Sequence, residues 1–313
     1  MNSKQGWFMF SKSEIKALRD VSMGKVTISG LHNRLSMSPS GVSAVVKKLQ
    51  RKSMVTTKRA GMKKFVEMND AKHAVLFKEL LQKYQHIPWE DLLADSSILV
   101  LLQIFDSKTR KFEGRISKRT VFRRLSSLTM HGIIKESEDG YMINSRYEPL
   151  IEFLREYQSY IVREKVESVV EDSVILWQKD FECLIRTKSE VKRDYFFRTG
   201  ISCFADYGIK LITNYMYYFY SEKKKRLRKE DVVLHALLAE RDSVRNITYC
   251  LIFLKKFEQM LDESVLLTEA ENFDIGGLVE QMLGFLRNRK RDADVMLPSW
   301  GEFVEKAREY GVI

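Results

Sequence analysis

The side chains best spaced to do chemistry in this sequence are cations. Ser40, Ser43, Lys47, Lys48 and Arg51 fall largely on one side of a helical projection, while Val42, Val45, Val46 and Leu49 fall on the other. Lys58, Arg59, Lys63 and Lys64 follow closely, and a second row, Lys118, Arg119, Thr120, Arg123 and Arg124, lies further along. Lysine and arginine rows of this kind neutralise phosphate, and short polar side chains among them can reach base edges.

Other chemistries find less support. His32, His73, His86, His131 and His235 are scattered, with no second histidine or cysteine at metal-ligand spacing. His235 stands one turn after Glu230 and Asp231, but a single histidine on an apolar helix is more often a packing residue. Cys183, Cys203 and Cys250 lie apart in apolar contexts without a neighbouring histidine, so they read as small buried hydrophobes rather than nucleophiles or disulfide partners. No phosphate-cradling glycine loop with its lysine and no nucleophile elbow is present. The expectation is no enzyme, no metal and no cofactor. A catalytic C-terminal domain would need converging acidic residues, and the sequence shows no such pairing.

The elements that must position the first cation row follow from local signals. Ser38-Pro39 opens a helix, with a serine to cap the orphan amides and a proline whose missing N–H had no partner. Met54–Arg59 and Lys63–Met68 read as strands around a turn at Ala60-Gly61. Upstream, Ile15, Leu18 and Val21 mark one helix, and Ile28, Leu31 and Leu35 another. The order is helix, helix, helix, hairpin. Ala71–Gln85 forms a further helix, expected to bury Val75, Leu76, Leu80 and Leu81.

The plan repeats. Ser96–Phe105 is an apolar helix, Lys108–Arg115 a basic connection, and Ser117 caps a helix burying Val121, Leu125 and Leu128. Asp139-Gly140 then turns a hairpin whose Glu136, Glu138 and Asp139 make its tip acidic. A long helix starts at Glu148-Pro149 with a stripe through Leu150, Ile151, Leu154, Tyr157 and Ile161. Such a stripe must be covered, either by a second copy or by the chain's own C-terminal domain. Beyond it, Val174–Ile185 reads as a hairpin, Thr199–Gly208 as a helix stopped by glycine, and Tyr215–Tyr220 as an aromatic strand. Helices are expected over Glu230–Glu240, Ser243–Leu261, Ile275–Arg287 and Trp300–Tyr310.

The formal net charge of the 313-residue chain is +11, and residues 1–70 alone hold 14 Lys and Arg against 4 Asp and Glu, so the excess is local. A localised basic face is the footprint of a polyanion ligand. With 44% hydrophobic residues the chain can bury more than one core. No apolar run is long enough to span a membrane and no secretory signal is evident, so a cytoplasmic protein is expected.

From about Phe10 to Gln85 the chain resembles the MarR-type winged-helix regulators, through Ser38-Pro39-Ser40-Gly41-Val42-Ser43, the basic hairpin and Asn69-Asp70-Ala71. Its hairpin tip, Arg59–Lys63, lacks the acidic residues that family usually carries. Ser117–Leu125 is similar to the recognition-helix start of archaeal and bacterial regulators. Thr199-Gly200-Ile201-Ser202 and Asp231–Leu238 bear a likeness to the C-terminal domains of abortive-infection-type antitoxin regulators. The resemblance implies a double-stranded-DNA-binding transcriptional regulator, mainly α with small β-hairpins. It would comprise a winged helix (1–87), a second winged helix (88–148), a connecting helix (149–171) and an α+β domain (172–313). Ser40, Ser43 and Lys47 would read bases; Lys48, Arg51, Lys58, Arg59, Lys63 and Lys64 would meet phosphates; Lys118, Arg119, Thr120, Arg123 and Arg124 would add a second contact. A homodimer is expected if the long helix pairs with itself. The competing expectation is an antitoxin-like or adaptor protein whose C-terminal domain holds a protein partner.

Overall fold

The computed structural model describes residues 8–107, 112, 116–138, 140–290 and 296–313. The fold is mainly helical with small antiparallel sheets, and it divides into two compact units, Met1–Ile161 and Val162–Ile313. Trp7, Asp139 and, apart from Phe112, the Lys108–Arg115 connection fall outside the described residues.

The first unit begins with α1 (Lys12–Ser22), β1 (Val26–Thr27), α2 (Ile28–Leu35), α3 (Pro39–Arg51), β2 (Val55–Ala60) and β3 (Lys63–Met68). Ser11 and Glu14 close a reciprocal cap on α1, the serine Oγ accepting from Glu14 N and Ser11 N donating to the carboxylate. The sheet order is β1-β3-β2, all antiparallel. Two residues of β1 are too few for a periodic signal, so the sequence shows only a hairpin. The hairpin turns at Gly61-Met62, one residue later than expected, and Gly61 takes φ +61, a conformation that suits glycine.

α4 (Lys72–Lys83) buries His73, Ala74, Phe77, Leu80 and Leu81, whereas Val75 is exposed and Leu76 half-buried. The expected stripe is therefore rotated, because Phe77 stacks on Phe10 and packs on Phe153, which only the tertiary fold brings near. Phe10 also stacks on Tyr157 in this same unit. The short α5 (Trp89–Leu92) leads to α6 (Ser96–Ser107), α7 (Lys118–Met130) and a hairpin of β4 (Ile134–Ser137) and β5 (Gly140–Ile143). α8 (Glu148–Glu167) closes the unit and buries Leu150, Phe153, Leu154, Tyr157 and Ile161. Of the expected stripe, Leu150, Leu154, Tyr157 and Ile161 are thus covered within one copy, while Ile151 is half-buried.

The second unit holds a four-stranded antiparallel sheet of β6 (Val174–Lys179), β7 (Glu182–Thr187), β8 (Phe196–Thr199) and β9 (Met216–Tyr220), ordered β6-β7-β9-β8. Alternation sorts its side chains. Leu184 and Phe219 join one core with the helices, while Cys183, Ile185, Tyr218 and Tyr220 join another with Val162, Val166 and Val170. The helices are α9 (Lys229–Ala239), α10 (Val244–Lys256), α11 (Glu263–Asn272), α12 (Gly276–Asn288) and α13 (Trp300–Glu309). The glycine-stopped segment is a 3-10 helix, Gly200–Tyr207, ended by Gly208 at φ +77. β8 and α11 are additions to the elements expected from sequence, and α10 ends at Lys256 rather than running to Leu261. Among the described residues no helix is long and apolar enough to cross a membrane.

Candidate nucleic-acid interface

α3 presents a sorted surface. Val42, Val45, Val46 and Leu49 are buried, each contributing about 1.5–3 kcal/mol by leaving water, and Ser40, Ser43, Lys47, Lys48 and Arg51 are exposed. At its start, Ser38 Oγ accepts from Gly41 N at 3.2 Å and lies 3.0 Å from Ser40 Oγ. Gln50 Nε2 donates to Thr57 Oγ1 at 3.2 Å, tying the helix to β2. Arg59, Lys63 and Lys64 on the hairpin are exposed, as is Lys58.

Lys58 differs from its neighbours. Glu67, diagonal to it across the strands where Phe65 is its direct partner, pairs with both Lys58 and Lys25, the latter at 3.2 Å. The hydrogen bond from Lys58, reinforced by Lys25, holds the Glu67 carboxyl below its ordinary range, and the same bond raises the Lys58 ammonium. Lys58 is therefore already engaged by a carboxylate, although its side chain remains 71% exposed.

The C-terminal end of α3 is fixed by groups that local sequence does not connect. Lys52 Nζ sits 2.5 Å from Glu14 Oε1 with both side chains only 3% exposed, and 5.4 Å from the Phe10 ring centroid. Burial lowers the Lys52 pKa against the opposing pull of Glu14. His73 Nε2 lies 2.9 Å from Lys52 O, and Tyr160 donates its hydroxyl to Arg51 O at 2.9 Å. The His73 and Tyr160 rings stack at 4.4 Å, and burial lowers the His73 pKa. α1, α4 and α8 thus converge on the residues that end α3, setting the rotation at which Lys47 and Arg51 leave the surface. The Ser11-to-Glu14 cap is readable in sequence; the link from Glu14 to Lys52 is not.

α7 repeats the design in part. Ser117 Oγ accepts from Thr120 N at 3.2 Å, Val121, Leu125 and Leu128 are buried, and Lys118, Arg119 and Arg123 are exposed with Thr120 half-buried. Arg124 is different: it donates through Nε to Ser96 Oγ at 3.3 Å and lies 3.5 Å from Asp95 Oδ2. It braces α7 against the start of α6, a correction to its expected place among the DNA contacts. Phe122, 75% exposed, stands on the outward face.

In the second unit His235 is fully buried, with Nδ1 2.8 Å from Thr199 Oγ1 and its ring stacked on Phe219 at 4.2 Å. Burial holds it neutral, its pKa lowered to about 3. Asp231 faces Lys224 Nζ at 2.7 Å and accepts from Arg228 N at 2.7 Å. Lys224 is thus half-buried against Asp231, whereas Lys225, Arg226 and Arg228 are exposed, Arg228 while pairing with Asp231 and Glu269. Burial raises the Cys183 and Cys203 thiols to about 12 and about 11. Tyr217, Tyr218 and Tyr220 are buried. Among the described residues no three His, Cys, Asp or Glu side chains are grouped to hold a metal ion.

A family model described as HVO_2833_C, C-terminal, matches residues 193–312, a segment within the second unit. Comparison with curated proteins and with solved structures gives no match.

Proposed function

We propose that this chain is a cytoplasmic, sequence-specific double-stranded-DNA-binding transcriptional regulator related to the MarR-type winged-helix proteins. α3 would enter the major groove with its hairpin beside the phosphate backbone. The observation that carries this reading is the sorting of α3: its apolar residues are buried, and its serines, lysines and arginine face water beside a cationic hairpin. A solvated helix needs no such asymmetry of sign, and α3 contains no acidic residue. Ser40, Ser43 and Lys47 are the base-edge readers, and Lys48, Arg51, Arg59, Lys63 and Lys64 the phosphate contacts.

With Lys58 held by Glu67, five phosphate contacts give a slope of about −4.5 in log affinity against log salt. From these contacts alone affinity should fall about five-hundredfold between 50 and 200 mM salt, and any further phosphate contact steepens the fall. Titration of the full chain against a duplex obtained by in vitro selection tests this. Lys47→Glu with Arg51→Glu should abolish retention at 100 mM salt while the far-ultraviolet spectrum stays unchanged. Undiminished retention, or affinity indifferent to salt, overturns the reading.

A second reading has one observation in its favour: the family match lies wholly within the second unit, as it would if that unit were a module with its own task. The chain would then be an antitoxin-like or adaptor protein whose C-terminal unit captures a protein partner, with DNA binding serving autoregulation. Loss of partner capture on removing residues 172–313, with DNA binding retained, would favour it.

A further inference from the structure

α7 carries something α3 lacks, an aromatic ring in the middle of its cationic face. Lys118, Arg119 and Arg123 stand four residues before, three before and one after Phe122. Lys118 and Arg119 therefore flank the ring on the first turns, with Arg123 about a quarter-turn further round the exposed side. All three cations are exposed, and α7 has no acidic residue. The complementary surface is a polyanion with an apolar spot in it. The major groove of DNA offers this combination, since the 5-methyl group of thymine is the apolar edge among its base pairs.

We propose that the outward face of α7 is a second contact for double-stranded DNA, with Lys118, Arg119 and Arg123 on phosphates and Phe122 against a thymine methyl group. The inference rests on the DNA-binding reading of α3 and extends the duplex one chain would cover. Two further features agree with it. Glu136 and Glu138 on the β4–β5 hairpin are exposed, so this hairpin repels a phosphate backbone and α7 approaches the groove without it. Arg124, braced by Ser96 and Asp95, is a positioning residue that fixes the rotation at which Phe122 points outward.

The test uses the full chain and a duplex from in vitro selection, titrated from 50 to 200 mM salt. With these three contacts added the log–log salt slope of the full chain becomes about −7.2, and replacing Lys118, Arg119 and Arg123 together by glutamine should flatten it by about 2.7, back to the value expected from α3 and its hairpin alone. Uracil in place of thymine should weaken the wild-type chain about fourfold per contacted methyl. Phe122→Ala should abolish that sensitivity without changing the slope, and this variant of an exposed side chain leaves the buried core intact. Unchanged slope in the triple variant, or equal uracil sensitivity with and without Phe122, overturns the proposal. If those results appear while Lys47→Glu with Arg51→Glu still destroys binding, only the α7 contact falls. If the full chain retains no duplex even at 50 mM salt, the α3 reading falls and takes this one with it.

Discussion

Ser38 and Ser117 cap α3 and α7 through bonds of the same 3.2 Å length, and both helices bury an apolar stripe while turning lysine and arginine outward. Their supports differ. α3 ends on a buried ion pair, Lys52 with Glu14, whose side chains are each 3% exposed; α7 is braced by Arg124, 16% exposed, against Asp95, 61% exposed. The hairpins differ as well: β2–β3 is cationic and gains β1 as a third strand, while β4–β5 has two strands and carries exposed glutamates. Similar local sequence can thus yield two helices with unequal support, because what holds each helix is supplied from elsewhere in the chain.

The largest expected difference lies in those supports. Glu14→Ala strands a buried ammonium and removes a cap, and should destabilise the first unit by about 3–5 kcal/mol. Arg124→Ala breaks a partly exposed pair and should cost under about 1 kcal/mol. Equal costs in denaturant titration would break the comparison. Ser38→Ala and Ser117→Ala should each cost about 1 kcal/mol, since the cap geometry is shared; a twofold disparity would show that one cap is strained or redundant.

Acid should act on the α3 support. His73 has a folded pKa below 6.5, so the unfolded chain binds more protons once the pH drops beneath that value. The stability it contributes is fully present above about pH 6.5 and declines as the pH falls toward the folded value. Thermal unfolding of the first unit followed from pH 7 to 5 should show this decline, and His73→Gln should diminish it. An unaltered pH dependence in that variant would remove His73 from the account.

Much of the α3 surface is legible in sequence because its signals are local. A serine–proline start, valines and a leucine at helical spacing, and strands of six residues are each complete within a few residues. What escapes depends on distance along the chain. Lys52 adjoins Arg51 and looks like one more surface cation, yet Glu14, 38 residues earlier, draws it inside. Lys58 and Arg124 resemble phosphate ligands until Glu67 and Asp95 are seen beside them. Val75 satisfies the periodicity of α4, but Phe77 takes the buried face through contact with Phe10 and Phe153. β1, at two residues, is too short for alternation to register.

The hydroxyl of Tyr160 reaches a carbonyl 109 residues earlier in the chain, and Tyr157 reaches Phe8 across 149. During synthesis, then, α3 can form its turns at once but cannot acquire its final fastening until α8 has left the ribosome. Contacts so far apart close slowly. Fragments stopping at the β4–β5 hairpin would display the right side chains on a loosely seated rod, making them poor surrogates for the whole polypeptide.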